Sequence, residues 1–132
     1  MDLTDAGSSA VETGRDISRE IVGLFKKYVG RGPTYARTYV HEDLVVTILH
    51  DTMTRGEQTL KEEDQEEKLR ELRKIFQGAF REEAVSAIER ATGKRVVAFL
   101  SDHAVEPDWS AEVFVLERAS APPEVSDPQS EG

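Results

Sequence analysis

The sequence predicts an α+β domain, its elements in the order α-β-β-α-β-β, with a four-stranded, mostly antiparallel sheet carrying two helices on one face. Three observations carry that expectation. Apolar residues repeat at helical spacing in two segments, 15–30 and 57–91, and two pairs of short β-rich runs follow them. Polar turn residues separate the members of each pair. Glycines stand where each helix has to stop.

The first element is RDISREIVGLFKKYVG, in which Ile17, Ile21, Leu24, Phe25 and Tyr28 form one apolar stripe. Thr13 is the expected N-cap, Asp16 suits the positive end of the helix, and Gly30 is the expected left-handed C-terminal stop after Lys26 and Lys27. Gly30-Arg31-Gly32-Pro33 then turns the chain into a strand over Thr34–Val40, and His41-Glu42-Asp43 leads into a second over Leu44–Leu49. Tyr35, Arg37 and Tyr39 share one face of the first strand, while LVVTIL is apolar on both faces and reads as a sheet-interior strand. From 57 to 91 a stripe of Leu69, Leu72, Phe76, Phe80, Ala84, Ile88 and Ala91 marks the second helix, with Arg70, Arg73 and Lys74 among the charges on its other faces. One helix of that length would be about 50 Å long, so a separate or bent N-terminal piece is expected near 56–63. KRVVAFLSDH and WSAEVFVLER supply the last two strands, near 94–101 and 110–117, turning at Pro107 and Asp108.

The chain has 132 residues, which suits one domain, expected at 14–118. Residues 1–13 are small and polar, and 119–132 are acidic and proline-rich, so both read as disordered tails. The formal charge is −9, of which residues 1–14 and 119–132 carry −3 each. The folded middle is only mildly acidic and lacks the surplus of Lys and Arg that a nucleic-acid backbone requires. No run approaches the roughly 20 apolar residues of a membrane span. The N-terminus has neither a basic start nor an apolar signal segment, so export is not expected and a cytoplasmic setting is. The absence of cysteine removes disulfides, thiolate metal sites and a cysteine nucleophile.

No catalytic constellation emerges. A phosphate loop needs glycines between a strand and a helix N-terminus, whereas GRGP follows a helix C-terminus, whose dipole repels anions. Ser101, Asp102 and His103 are the residue types of a hydrolytic triad, but neighbours on a strand alternate faces and cannot line up. His41, Asp43, His50, Asp51, Asp102 and His103 show no metal-ligand spacing, and EEDQEEK at 62–68 spreads its carboxylates around the helix. Neither metal nor cofactor is expected. Gly30, Gly32 and Pro33 read as a structural corner. Arg31, Arg37, Ser101 and Asp102 remain as binding candidates at element boundaries.

GRGPTYARTYVHEDLVVTILHDTMTRGEQTL and ATGKRVVAFLSDHAVEPDWSAEVFVLE together resemble the MpsC-like domain family, small bacterial proteins named for a sodium-translocating, membrane-potential-generating system linked to inorganic-carbon uptake. The resemblance spans about 16–117 and rests on Gly30–Pro33, Arg37, Leu44–Ile48, Leu60, Thr92-Gly93, Ser101-Asp102 and Val113–Leu116. It implies a cytosolic, non-catalytic accessory or regulatory module with a membrane transport component as a partner, and it brings no catalytic residues with it. Two functions stay open: a protein-interaction module, self-associating through a sheet edge or exposed sheet face, and a small-anion binder or enzyme built on Arg31, Arg37 and Asp102.

Overall fold

Ile17, Ile21, Leu24 and Phe25 are all buried along one side of α1 (Leu3–Tyr28), and that stripe seats the helix on the sheet. The computed structural model describes residues 3–118, with side chains described from residue 9 onward. The sheet consists of β1 (Tyr35–His41), β2 (Leu44–His50), β3 (Val96–Ala104) and β4 (Trp109–Leu116), in the spatial order β1-β2-β4-β3, antiparallel throughout. Between the hairpins lie α2 (Arg55–Glu62) and α3 (Glu66–Thr92). Helix α1 crosses β1 and β2, α3 lies along β3, and the two helices touch each other, so both cover one face. The α+β architecture read from the sequence is the one observed, with α2 as an additional short helix.

The core lies between these layers. Phe25, Phe80, Phe99 and Phe114 make a chain of rings with centroids 5.4, 6.4 and 4.8 Å apart, surrounded by Val45, Leu49, Ile88 and Leu116. Burying each such side chain contributes on the order of 1.5–3 kcal/mol. A satellite cluster of Met53, Leu69 and Val105, with Leu60 against it, fastens α2 to the end of the domain.

Of three boundaries, the first and third differ from expectation for physical reasons, and the second is the separate helical piece expected near 56–63. Helix α1 begins at Leu3, so Thr13 is inside it and residues 3–13, expected as a disordered tail, are helical. Extending an existing helix adds one hydrogen bond per residue fixed, and no proline stands in the way. Helix α2 is capped by Thr54, whose side chain accepts the Glu57 amide while Glu57 accepts the Thr54 amide, a reciprocal capping box. The chain breaks before α3 at Asp64, which has φ 57°. Third, β3 carries an irregularity between Val96 and Ala98, leaving Val97 without a register partner and 58% exposed. The tail expected at 119–132 lies outside the described residues.

GRGP is a corner. Gly30 has φ 90° and its amide reaches the Phe25 carbonyl at 3.1 Å, closing α1 in the left-handed conformation that glycine adopts without steric cost. Gly32 is not left-handed; the Lys26 stem lies over it instead. The β1–β2 turn is tighter than the three-residue turn expected, because His41 pairs with Leu44 and only Glu42 and Asp43 connect them. Glu42 there has φ 52°. Exchanging Glu42→Gly is expected to raise stability by about 0.5–1 kcal/mol, because a left-handed non-glycine residue costs more than glycine's extra chain entropy. A higher denaturant midpoint at unchanged slope checks this, and a lower one contradicts it.

Candidate functional site

Antiparallel register aligns the four strands into rows that run straight across the sheet. Alternate rows point to alternate faces. On the face away from the helices the first row is Tyr35, His50, Trp109 and Ala104; the second is Arg37, Ile48, Ala111 and Asp102. Tyr39, Val46, Val113 and Leu100 form the third, and His41, Leu44, Val115 and Ala98 the fourth. No element of the described chain covers this face. Tyr35, Tyr39, Leu44, Leu100 and Trp109 are between 38% and 60% exposed, and Val46, Ile48, Val113 and Val115 lie half-buried between them. Scattered surface hydrophobics are ordinary, but a continuous patch over a whole sheet face marks a contact surface.

The first row is an aromatic strip. His50 stacks on Trp109 with centroids 4.2 Å apart and rings 2° from parallel, and Tyr35 lies 4.4 Å from His50 on the other side. Large, stiff, amphipathic rings of this kind are the side chains that anchor protein contacts. Arg37 and Asp102 occupy opposite ends of the second row, on the two edge strands. Three strand intervals separate them, about 14 Å.

The opposite face has its own rows, and one of them is polar throughout: Thr38, Thr47, Glu112 and Ser101. The Thr38 hydroxyl hydrogen-bonds Thr47 at 2.8 Å and Ser18 of α1 at 2.8 Å. Glu112 is 1% exposed. Burial pushes its carboxyl up to about 8, with the nearby Asp102 charge adding to the rise; the Ser101 hydroxyl and the Arg73 charge draw it only part of the way back. The shift favours the protonated, neutral acid in the folded protein. Beside it the row of Ala36, Leu49, Ser110 and His103 ends in a buried pair, His103 Nε2 to Asp108 Oδ1 at 2.7 Å. The second Asp108 oxygen accepts the Met53 amide at 2.8 Å. Burial raises the Asp108 pKa, but the hydrogen bonds from His103 and Met53 and the charges of His103 and Arg73 outweigh it, so this carboxyl titrates below its usual range.

Above these residues Arg73 of α3 meets Glu57 of α2. Nε lies 2.5 Å from one carboxylate oxygen and Nη2 lies 3.2 Å from the other, with side chains 5% and 0% exposed. A cavity of about 90 Å³ between α3 and β3 is lined by Arg70, Arg73, Lys74 and Gln77 of the helix and by Ser101, Asp102 and His103 at the sheet edge. Ser101 Oγ, His103 Nδ1 and Glu112 Oε2 are buried without a hydrogen-bond partner among the described residues. This cluster is assembled from α2, α3, β3, β4 and two loops, and its geometry is that of a structural polar seam. The Thr52 hydroxyl donates to Asp108 Oδ1 at 3.4 Å, but His103 Nδ1, the ring atom that would have to take a nucleophile's proton, has no hydrogen-bond partner among the described residues.

The four sequence candidates go to separate places. Arg31 Nη1 donates to the Met53 carbonyl at 3.2 Å and braces the loop after β2. Arg37 lies on the open face with its guanidinium 5.0 Å from the Tyr39 ring. Ser101 faces the helices, and Asp102, one residue on, faces outward with Oδ1 accepting the His103 amide. No cavity of the described residues is lined by Arg31, Arg37 and Asp102 together. Sequence reasoning missed Glu57, Arg73, His103, Asp108 and Glu112 as one cluster. Two signals for them were present: the T-x-x-E spacing at Thr54–Glu57, and the position of Arg73 in phase with Leu69, Phe76 and Phe80.

Among the described residues no cluster of His, Cys, Asp and Glu has metal-ligand geometry, and no helix is long and apolar enough to cross a membrane. No curated protein and no solved structure matches this chain. A family model described as "Na+-translocating membrane potential-generating system (MpsC)" matches residues 10–118, from within α1 to just past β4, and the chain belongs to the MpsC family.

Proposed function

We propose that this chain is a cytosolic, accessory protein-interaction module that serves membrane transport machinery and holds a protein partner on its open sheet face. The single observation that carries the reading is that face: four rows of mostly apolar side chains, an aromatic strip at one end, and a charge of each sign at the edges. The family's description supports a link to a membrane system. On this reading the passage of ions belongs to a membrane-spanning partner, and the module contributes binding.

Capture experiments with wild type and with a Tyr39→Asp, Leu100→Asp double variant test it. Both residues are exposed and share one row, so the fold is retained and the thermal midpoint checks that it is. Proteins held by the wild type, further copies of the chain included, are expected to be lost from the variant. If both forms retain the same set of proteins, the open face is not the contact surface.

A further inference from the structure

We infer that the open sheet face is occupied by a second copy of this chain, stacked face to face about a two-fold axis that runs parallel to the strands between β2 and β4. This rests on the interaction reading above and names its partner. Complementarity within rows is what favours a second copy. An axis parallel to the strands keeps each row in register with itself and reverses the strand order, so β1 lies over the partner's β3 and β2 over the partner's β4. Arg37 then faces the partner's Asp102 at both ends of the second row.

The same operation matches sizes. Tyr35 lies over the partner's Ala104, His41 over the partner's Ala98, and Ile48 over the partner's Ala111. Tyr39 meets the partner's Leu100, and Val46 meets the partner's Val113. A large residue on one copy thus falls on an alanine of the other in three pairs, two of them on the outer strands, while Tyr39 with the partner's Leu100 and His50 with the partner's Trp109 meet as large residues. The other two-fold axis available to stacked sheets, perpendicular to the strands, places β1 on the partner's β1. With that axis through the second row, Arg37 falls on the partner's Arg37. Moved half a step toward the third row, it sets Asp102 against the partner's Leu100 and Ala98 against the partner's Ala104. The first case repels and the second buries an unpaired charge over a void.

The charges available fit this use. Among the described residues Arg37 makes no ion pair with an acidic side chain, and Asp102 hydrogen-bonds only the neighbouring amide. Stacked sheets pack about 10 Å apart with strands within about 30° of alignment, so positions on β2 and β4, the strands nearest the axis, stay closest to register, and those on the edge strands shift by about 4 Å, within the reach of an arginine side chain. The face measures about 19 Å by about 23 Å. That is a modest contact, of the class that dimerises at micromolar concentration.

Charge reversal tests the axis as well as the dimer. Sedimentation equilibrium across the micromolar range is run on the full chain as wild type, Arg37→Asp, Asp102→Arg, and an equimolar mixture of the two variants. The wild type is expected to dimerise. Each variant alone places like charges opposite each other and weakens the dimer by about tenfold or more. In the mixture the carboxylate introduced on one copy faces the guanidinium introduced on the other, and the native arginine and aspartate face each other at the far end. Dimers are restored, now with one copy of each variant. That rescue also shows that both variants are folded. A wild type that stays monomeric throughout overturns the second copy while leaving the capture result to judge the interaction reading. A dimer that survives either reversal, as pairing through an edge strand would allow, overturns the stacking. So does a mixture that fails to rescue.

Discussion

Replacing Arg73 with methionine is expected to lower the stability of this domain by about 3–5 kcal/mol. The guanidinium is 5% exposed and faces a carboxylate, Glu57, with no exposed surface at all. Methionine retains most of the apolar stem, so the packing of α3 on the satellite cluster survives. What it removes is the positive partner of a charge that has no route to water. Glu57 would keep only the Thr54 amide, at 2.9 Å. One hydrogen bond does not offset the loss of both guanidinium contacts in a low-dielectric setting. The cost falls on α2 and on the loop that carries Met53, because this buried ion pair, a few apolar contacts and the more exposed Lys61–Glu106 pair are what dock the helix. Local opening there is expected to precede global unfolding.

A second substitution separates charge from packing. Glu57→Gln in the Arg73→Met background removes the stranded carboxylate while leaving an oxygen to accept the Thr54 amide. The double variant is expected to be more stable than Arg73→Met alone, since a buried pair replaced at both ends costs far less than one broken at a single end. Equilibrium denaturation with a linear extrapolation measures both. If Arg73→Met falls within about 1 kcal/mol of wild type, or the double variant shows no recovery, the pair is not the clasp that holds α2.

The architecture was legible because its signals were local. The α1 stripe, the glycine stops at Gly30 and Gly93, and the break ahead of α3 each follow from spacing or backbone preference within a few residues. The face of the sheet that is buried was not legible. In WSAEVFVL, ordinary reasoning turns Ala111, Val113 and Val115 inward and Ser110 and Glu112 outward, yet Ser110 and Glu112 share the buried side with Phe114 and Leu116. Alternation shows that two faces exist, but only the helices decide which one they cover. Arg73 was assigned to a solvated face for a similar reason: a charge in an apolar stripe reads as a boundary of the stripe until its partner is known, and Glu57 lies 16 residues away on another helix. The corner at GRGP follows from a helix stop followed directly by a strand, although only Gly30 uses positive φ. Arg31, Arg37 and Asp102 read in the sequence as one anion-binding group, whereas Arg31 braces the loop after β2 and Arg37 and Asp102 stand at the two ends of one row. Their separation was invisible before the strand order was known, since a sequence does not show that β4 inserts between β2 and β3.

Glu112→Gln is expected to stabilise the protein at alkaline pH and to remove most of its pH dependence between about 5 and 8. The carboxyl titrates near 4.5 when unfolded and at about 8 when folded. Below the lower value both states hold the proton and the group is neutral everywhere. Between the two values the unfolded chain has released its proton while the folded chain keeps it, so stability falls as pH rises, by up to about 1.4 kcal/mol per pH unit. Above about 8 both states are ionised and the loss is complete. Summed over the window, the loss is several kcal/mol, a large share of the total for a domain of this size. Glutamine keeps the shape and polarity of the neutral acid and never ionises, so its stability stays flat where the wild type declines. Comparing the two at each pH removes every titration they share, that of the Asp108 carboxyl included. Arg73 offers a further check, because its charge holds the Glu112 value down. In the Arg73→Met background the decline is expected to begin from the same acidic limit and to run to higher pH. Denaturation midpoints at pH 5, 7 and 8.5 decide the matter. A wild type whose stability holds level or climbs from pH 5 to 8.5, or a Glu112→Gln variant that declines in parallel with it, would mean that the carboxyl has access to water and that the polar row of Thr38, Thr47, Glu112 and Ser101 is not sealed beneath the helices.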